Sequence, residues 1–428
     1  MINRLKPKSE FSRNVLTLIV GTTIAQAIPI AISPILTRLY SPEDFGIFAL
    51  FVAIVSVLSV FTTGKYELAI MLPNEDEEAF SILILSITIA IIVSLIIFIF
   101  ILIFYSYFVK ILNSQEIANW LYFIPFSIFI SSLFQGFNYW TNRKKDYRIM
   151  SKNMVMQSLS NATLNTSFGF LNFTSSGLIM TNIITNTLSS TYMISKNIQW
   201  IKKYKIFRSY LELKDLSLKY KQFPLHTLPQ NFIYQGVIQL PVFFIKTMFS
   251  TAILGFYSLA YRIIGTPISI VSNSFGKVYY QKASILYNKD RVQLYKYTKK
   301  MFFGLLILSL SIGGIIVWFL PDLFSFIFGS QWKQAGIIAQ YLMIYFIFSF
   351  AVGPFTQIYL ISKHNLFYLK WEILRFVSIT ILLFILFIFN ITDSNIFFIL
   401  FGTINLFLYI YIAIPILNNE SIIWRTMS

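Results

Sequence analysis

The sequence predicts an all-α integral membrane protein, with about twelve transmembrane helices in two parallel-repeat six-helix bundles around a central cavity. Three observations carry that prediction. Mean hydropathy is +0.69, with 56% hydrophobic and 12% charged residues, against roughly 25% charged in an ordinary soluble domain. Charge-free stretches of about 20 residues, enough to span a bilayer at 1.5 Å per residue, recur along the whole chain. Lysine and arginine fall almost entirely on one set of alternate loops. This composition excludes a conventional water-soluble enzyme, intrinsic disorder and collagen-like structure. There are no cysteines, so disulfides, thiolate nucleophiles, iron–sulfur clusters and cysteine zinc sites are out. His226 and His364 are the two histidines, too far apart in sequence to suggest a metal cluster.

The spans follow in order. Residues 14–37 form the first and 45–64 the second. Residues 79–109 run 31 positions without a charge, long enough to tilt or to pass the bilayer edge. The fourth is 117–142. The next charge-free run, 153–195, is 43 residues long and breaks naturally at NFTSSG (172–177) into two spans. A more polar seventh covers 222–245, and an eighth, 252–276, contains Arg262. The last four lie at 301–321, 334–362, 367–392 and 394–419. Short connections between them predict packed helical hairpins. The N-terminal MINRLKPKSEFSRN precedes an apolar run too long for a signal peptide, with no small-residue cleavage site, so an uncleaved first span is expected.

Orientation follows from the basic residues. One side carries 27 of the 34, including Arg4, Lys6, Lys8 and Arg13, five between Arg143 and Lys152, eight between Lys196 and Lys221, and seven between Lys277 and Lys300. Lys363, Lys370 and Arg425 complete it. The opposite side has four: Arg38, Lys110, Lys246 and Lys333. This asymmetry places both termini in the cytoplasm. The acidic loop NEDEE at 74–78 falls on the same side, which does not conflict, because acids count little in that rule.

A weak internal echo divides the chain into halves 1–222 and 223–428. ILTRLYSPEDFGIFALFVAI (35–54) corresponds to FFIKTMFSTAILGFYSLAYRI (243–263), aligning Arg38 with Lys246 and, after a one-residue insertion, Gly46 with Gly255. Both copies would enter from the cytoplasm, a parallel repeat about an axis along the membrane normal.

Ionisable groups within spans cost about 2.5–3.5 kcal/mol each on insertion scales, so they are candidates for function. Arg262 sits roughly 10 Å past Gly255 on the eighth helix, facing a wet cavity or snorkelling. Pro267 then frees backbone carbonyls one turn later. Lys65 and Glu67, in TTGKYELAI, would lie about 200° apart on a helix and so on different faces. Glu372 and Arg375, at i, i+3, read as an interfacial ion pair beside Trp371 or as cavity groups. Arg38 and Lys246 read as structural anchors or as receivers of an anionic head group. Polar stripes at i, i+4 spacing run along three spans: Gln157, Asn161 and Asn165; Asn182 and Asn186; and Asn231, Gln235 and Gln239. They suit either a hydrated, sugar-compatible path or helix–helix hydrogen bonding. No Walker A, GxSxG, HExxH or acidic metal motif occurs, so no catalytic residue, metal or cofactor is expected. The outer loops are short, the longest at about 321–333, which leaves no room for an extramembrane active site.

RNVLTLIVGTTIAQAIPIAISPILTRLYSPEDFGIFALF (13–51), followed by TGKYELAIMLP (63–73), resembles the start of Wzx-type polysaccharide flippases of the multidrug/oligosaccharidyl-lipid/polysaccharide exporter (MOP) superfamily. SLAYRIIGTPISIVSNSFGKVYYQKAS (258–284) resembles that family's eighth-span region. The sequence-level resemblance is confined to about 13–75 and 255–285. Lys65 stands in the GKYELA element where relatives are expected to carry Arg as well; either supplies the charge, though Lys loses the bidentate geometry. The resemblance implies a transporter rather than an enzyme, moving an undecaprenyl-diphosphate-linked oligosaccharide such as an O-antigen repeat unit across the bacterial inner membrane by alternating access. It implies that Arg262, Lys65, Arg38, Lys246 and Arg375 bind the anionic cargo, and that Glu67 or Glu372 couples transport to an ion. The polar stripes would solvate the glycan. Partners would be the lipid-linked glycan, membrane lipid, a polysaccharide polymerase and a chain-length regulator, with no nucleic acid. Competing readings are a multidrug or small-cation exporter of the same superfamily, whose cavity should be acid-rich, a membrane polymerase or ligase, and a scaffold without transport.

Overall fold

The computed structural model describes residues 10–112, 115–204 and 209–418. Arg4, Lys6, Lys8, Lys205, Arg208 and Arg425, counted above, lie outside them. The described residues are helical throughout, with no strand among them. The chain divides into two compact units, Met1–Gln235 and Gly236–Ser428.

Unit 1 contains α1 (Glu10–Leu39), α2 (Pro42–Leu58), a 3₁₀ turn (Tyr66–Met71), α3 (Asp76–Leu112), α4 (Gln115–Leu121), α5 (Ile124–Arg143), α6 (Tyr147–Phe170), α7 (Thr174–Lys196), α8 (Ile198–Lys203), α9 (Tyr210–Lys219) and the start of α10 (Leu228–Met248). α1 packs along α6, and α3, α5 and α7 pack around one core. Phe80, Leu83, Phe137, Trp140 and Met193 are buried there. Unit 2 continues with α11 (Thr251–Ala260), a π-turn (Tyr261–Gly265), α12 (Thr266–Lys289), α13 (Arg291–Phe328), α14 (Lys333–Val352), α15 (Gln357–Ile361), α16 (Asn365–Ile388) and α17 (Ser394–Leu417). Its core gathers Tyr279, Phe302, Phe355, Tyr359 and Trp371. α14 runs against α13 and α17. The approach to α13 requires Gly336, because a Cβ there would lie 2.5 Å from the backbone Cα of Pro321.

Among the described residues, seven helical stretches are long and apolar enough to cross a membrane, and an eighth joins them if α4 and α5, bent by 55°, count as one span. α3 shows why such helices need lipid: one face is buried, while Leu95, Ile96, Ile99 and Ile103 lie exposed on the other. An unbroken apolar surface of that extent is not tolerated in water. The break expected at 172–177 comes at 171–173, between α6 and α7, and residues 174–177 form the first turn of α7.

Two expectations are corrected. The second span does not run helically to Gly64: α2 stops at Leu58, and Gly64 (φ 57°) and Lys65 (φ 63°) are both left-handed, which no α-helix accommodates. Residues 277–300 are not a loop. α12 and α13 carry their basic residues on helix extensions with Asp290 alone between them. At 1.5 Å per residue α13 is about 57 Å long, well past a hydrocarbon layer of about 30 Å.

The two stretches paired by the sequence echo begin alike. Ser41 caps α2 by accepting from the Asp44 amide, and Ser250 caps α11 by accepting from the Ile253 amide. Arg38 and Lys246 each occupy the last turn of the preceding helix.

Candidate functional site

Unit 1 holds a polar cavity of about 360 Å³ between α2, α5, α7 and the start of α10. Lys65, Gln135, Asn182, Asn186, Asn231 and Gln235 line it, with Ser56, Ser59 and Ser131. Val52, Val55, Val60 and Tyr234 supply apolar surface.

The turn between α2 and α3 delivers Lys65. Its left-handed backbone, which costs an L-residue roughly 1–2 kcal/mol, aims the side chain into the cavity, and its amide donates to Thr63 Oγ1 at 3.3 Å. The same turn folds Glu67 back under it. Lys65 Nζ lies 3.8 Å from Glu67 Oε1, and Glu67 is 1% exposed. The two were expected on different faces of a helix. They meet because Lys65 lies in a left-handed turn and Glu67 on a 3₁₀ helix. Glu67 Oε2 accepts no hydrogen bond among the described residues.

Charged groups at one end of unit 1 clamp this turn. Arg143 Nη1 donates to the carbonyls of Ile70 and Pro73 at 3.1 and 2.8 Å, and its Nε donates to Asp76 at 2.9 Å. Lys144 also pairs with Asp76, its ammonium 4.0 Å from the Trp200 ring centroid and 4.9 Å from that of Trp140. Tyr66 Oη donates to the Ser217 carbonyl on α9 at 3.0 Å, and α9 is held in turn by Lys219 and Tyr220, which donate to Glu78 at 2.5 and 2.8 Å. That hydrogen bond raises the Lys219 ammonium above the ordinary lysine range.

The amides form a chain. Gln157 Nε2 donates to Asn186 Oδ1 at 2.8 Å, and Asn186 Nδ2 donates to Asn182 Oδ1 at 3.1 Å. Gln157 therefore stands one bond behind the cavity. Asn231 Nδ2 is spent on the Thr227 carbonyl at 2.9 Å. The fold thus brings together Lys65, Asn182, Asn186, Asn231 and Gln235 from three separate stretches of sequence.

Other candidates lie elsewhere. Asn165 is buried and donates to Asn161 Oδ1 at 2.8 Å, while its carbonyl accepts from Tyr40 Oη, so this pair joins helices within unit 1. Arg38 is exposed and donates to its own helix at the Pro34 carbonyl, 2.7 Å away. Lys246 is buried in the last turn of α10, and Gln239 is half-buried on the same helix. Arg262 is half-buried in the π-turn, a helix irregularity frequent at functional sites. The apolar groove beside it, about 400 Å³, is lined by its neighbours Ile263, Ile264 and Pro267 rather than by Arg262. Arg375 and Glu372 form an ion pair, Nη1 to Oε2 at 3.9 Å. Arg375 Nε donates to Asn405 Oδ1 at 3.2 Å, Tyr368 Oη donates to Glu372 Oε1 at 3.1 Å, and the guanidinium lies 5.5 and 5.4 Å from the Trp371 and Tyr409 ring centroids.

Sequence reasoning missed Gln135, Ser131, Ser56, Ser59 and Tyr234. The first four carried a signal, i, i+4 spacing on α5 and i, i+3 on α2, masked by surrounding aromatic and aliphatic residues.

Long apolar helices, arranged in two helical units with a polar cavity within one of them, define a multi-pass membrane protein. The fold is similar to an inward-facing multidrug resistance MATE family transporter of the MOP superfamily (TM-score 0.62, 16% identity, 92% of each chain covered). It is also similar to a MOP superfamily transporter from Pyrococcus furiosus (TM-score 0.60, 14% identity, 94% of each chain) and to an outward-facing MATE family transporter (TM-score 0.53, 14% identity, 96% of this chain and 95% of that one). No curated protein matches the sequence. Residues 35–336 match the family described as polysaccharide biosynthesis protein, and the chain belongs to that family.

Proposed function

We propose that the protein is a flippase that carries an undecaprenyl-diphosphate-linked oligosaccharide, an O-antigen repeat unit or a similar surface-polysaccharide precursor, from the cytoplasmic to the periplasmic leaflet by alternating access. The observation that carries this reading is the amide-lined cavity of unit 1, in a membrane protein whose family serves polysaccharide biosynthesis. Bilayer passage of a glycan requires hydroxyl partners where lipid offers none, and amides and serine hydroxyls supply both donors and acceptors. The asymmetry of basic residues supports twelve spans with both termini in the cytoplasm of an inner membrane. Arg262 is our first candidate to meet the diphosphate, since guanidinium matches phosphate oxygens bidentately, and Arg38 and Lys246 are separate candidates for the same role. Buried Glu67 and Glu372 are the candidates for coupling to an ion.

The test uses a deletion strain and measures whether undecaprenyl-diphosphate-linked repeat units are reachable by a glycosidase added outside spheroplasts. Full-length units should accumulate beyond reach and become reachable with the wild-type gene but not with Arg262→Ala. Units that remain reachable yet unpolymerised would contradict flipping and point to a polymerase, ligase or scaffold.

A further inference from the structure

The flippase reading leaves open which part of the cargo the unit 1 cavity meets. Its lysine suggests the diphosphate, but its charge balance argues otherwise. Lys65 is the one cation among the lining residues, and Glu67 stands 3.8 Å behind it, buried from solvent. The pair brings no net charge. A diphosphate at this position would face a lysine already neutralised, without a fork of guanidinium donors.

The rest of the lining has a different chemistry. Among the described residues, the side chains of Gln135, Gln235, Ser56 and Ser131 make no hydrogen bond to the protein, although all four line the cavity. Each amide offers two donors and an acceptor with two lone pairs, and each hydroxyl offers one donor. Three valines and Tyr234 stand among them in the lining. A pyranose has the same two kinds of surface, with hydroxyls around its rim that need both donors and acceptors and an apolar face of C–H bonds that packs on aliphatic or aromatic surface. The volume, about 360 Å³, lies at the small end of ligand sites, suited to one ring rather than an oligosaccharide.

We infer that the unit 1 cavity is a subsite for a single uncharged sugar residue of the cargo, read by Gln135, Gln235 and the Asn182–Asn186 pair, and that Glu67 sets its preference by cancelling the charge of Lys65. This rests on the flippase reading, and it differs from the sequence expectation that Lys65 takes the anionic group. Glu67 acts here as a positioning and specificity residue that does not itself touch the sugar.

The experiment uses full-length protein in nanodiscs and two pairs of probes. One pair is methyl glucoside and methyl glucuronoside. The other is polyprenyl-diphosphate bearing N-acetylglucosamine and polyprenyl diphosphate without a sugar. Wild-type protein should bind the neutral glycoside over the acidic one. Glu67→Gln, which leaves Lys65 uncancelled, should reverse that preference. Gln135→Ala should weaken the sugar-bearing lipid by roughly three- to ten-fold, the loss of one hydrogen bond, without changing the sugar-free lipid. Size exclusion and thermal unfolding identify folded variants; should Glu67→Gln fail them, Lys65→Met tests the same pair, since it should remove all affinity for the glucuronoside and leave the glucoside bound. Unchanged glycoside preference in folded pair variants, or equal effects of Gln135→Ala on both lipids, would overturn the subsite. If the glycoside preference holds while neither lipid binds, the subsite stands and the flippase reading falls.

Discussion

Among the described residues, each unit contains one buried carboxylate paired with a cation at nearly the same distance, and the two pairs have opposite surroundings. Lys65 and Glu67 in unit 1 stand 3.8 Å apart, with the lysine facing an amide-lined cavity. Glu372 and Arg375 in unit 2 stand 3.9 Å apart, with the guanidinium near the Trp371 and Tyr409 rings and bonded to Asn405. Geometry alone does not separate them; the groups around the cation do. Arg375 is enclosed by aromatic rings and an amide of its own unit, which is the environment of a structural pair. Lys65 meets open polar space from a strained backbone position, and strain of that kind gathers where function requires it.

Arg375→Met should show the largest effect. It strands a buried carboxylate and should cost about 3–5 kcal/mol of stability in detergent-solubilised protein. Replacing both partners, Glu372→Met with Arg375→Met, should recover most of that loss in a thermal melt. A double variant as unstable as the single one would break the contrast, because it would give Arg375 a role outside the pair. Lys65→Met should be milder, roughly 1–3 kcal/mol, since the stranded Glu67 lies next to a hydrated cavity. If its melting temperature falls as far as that of Arg375→Met, the two sites are alike. Tyr66→Phe should be the smallest, about 0.5–1.5 kcal/mol for the hydrogen bond to the Ser217 carbonyl. Its informative readout is protease sensitivity of α9, which should rise, whereas unchanged cleavage would show that Glu78 alone holds that helix.

How much of this was legible in the sequence depended on the region. α3 could be read directly, because a long uncharged run admits one interpretation. The break between α6 and α7 was visible in NFTSSG, whose small polar residues do not sustain an apolar span. The turn at Lys65 was misread because residue spacing was converted to angles on an ideal helix, although Gly64 immediately before it signalled a left-handed turn. The helical extensions of α12 and α13 were misread because a basic stretch was equated with a loop, whereas a solvated helix carries lysines equally well. The polar stripes were visible as stripes, but one-dimensional periodicity cannot tell which of them share a cavity. Asn182, Asn186, Asn231 and Gln235 meet there, while Asn165 donates to Asn161 along α6. Gln135 was overlooked because its i, i+4 spacing from Ser131 is masked by the aromatic and aliphatic residues of α5, and it acquires meaning from its neighbours on α7 and α10.

The central claim is that the unit 1 cavity handles the glycan of a lipid-linked cargo during transfer between leaflets. The most direct measurement is leaflet exchange of fluorescent polyprenyl-diphosphate-N-acetylglucosamine in proteoliposomes, comparing wild-type protein with the Gln135→Ala, Asn186→Ala double variant at matched reconstitution and melting temperature. The account predicts protein-dependent exchange that the double variant slows by at least roughly ten-fold, the loss of two or more hydrogen bonds to the sugar. Exchange no faster than in protein-free vesicles, or equally fast in the folded double variant, would contradict it.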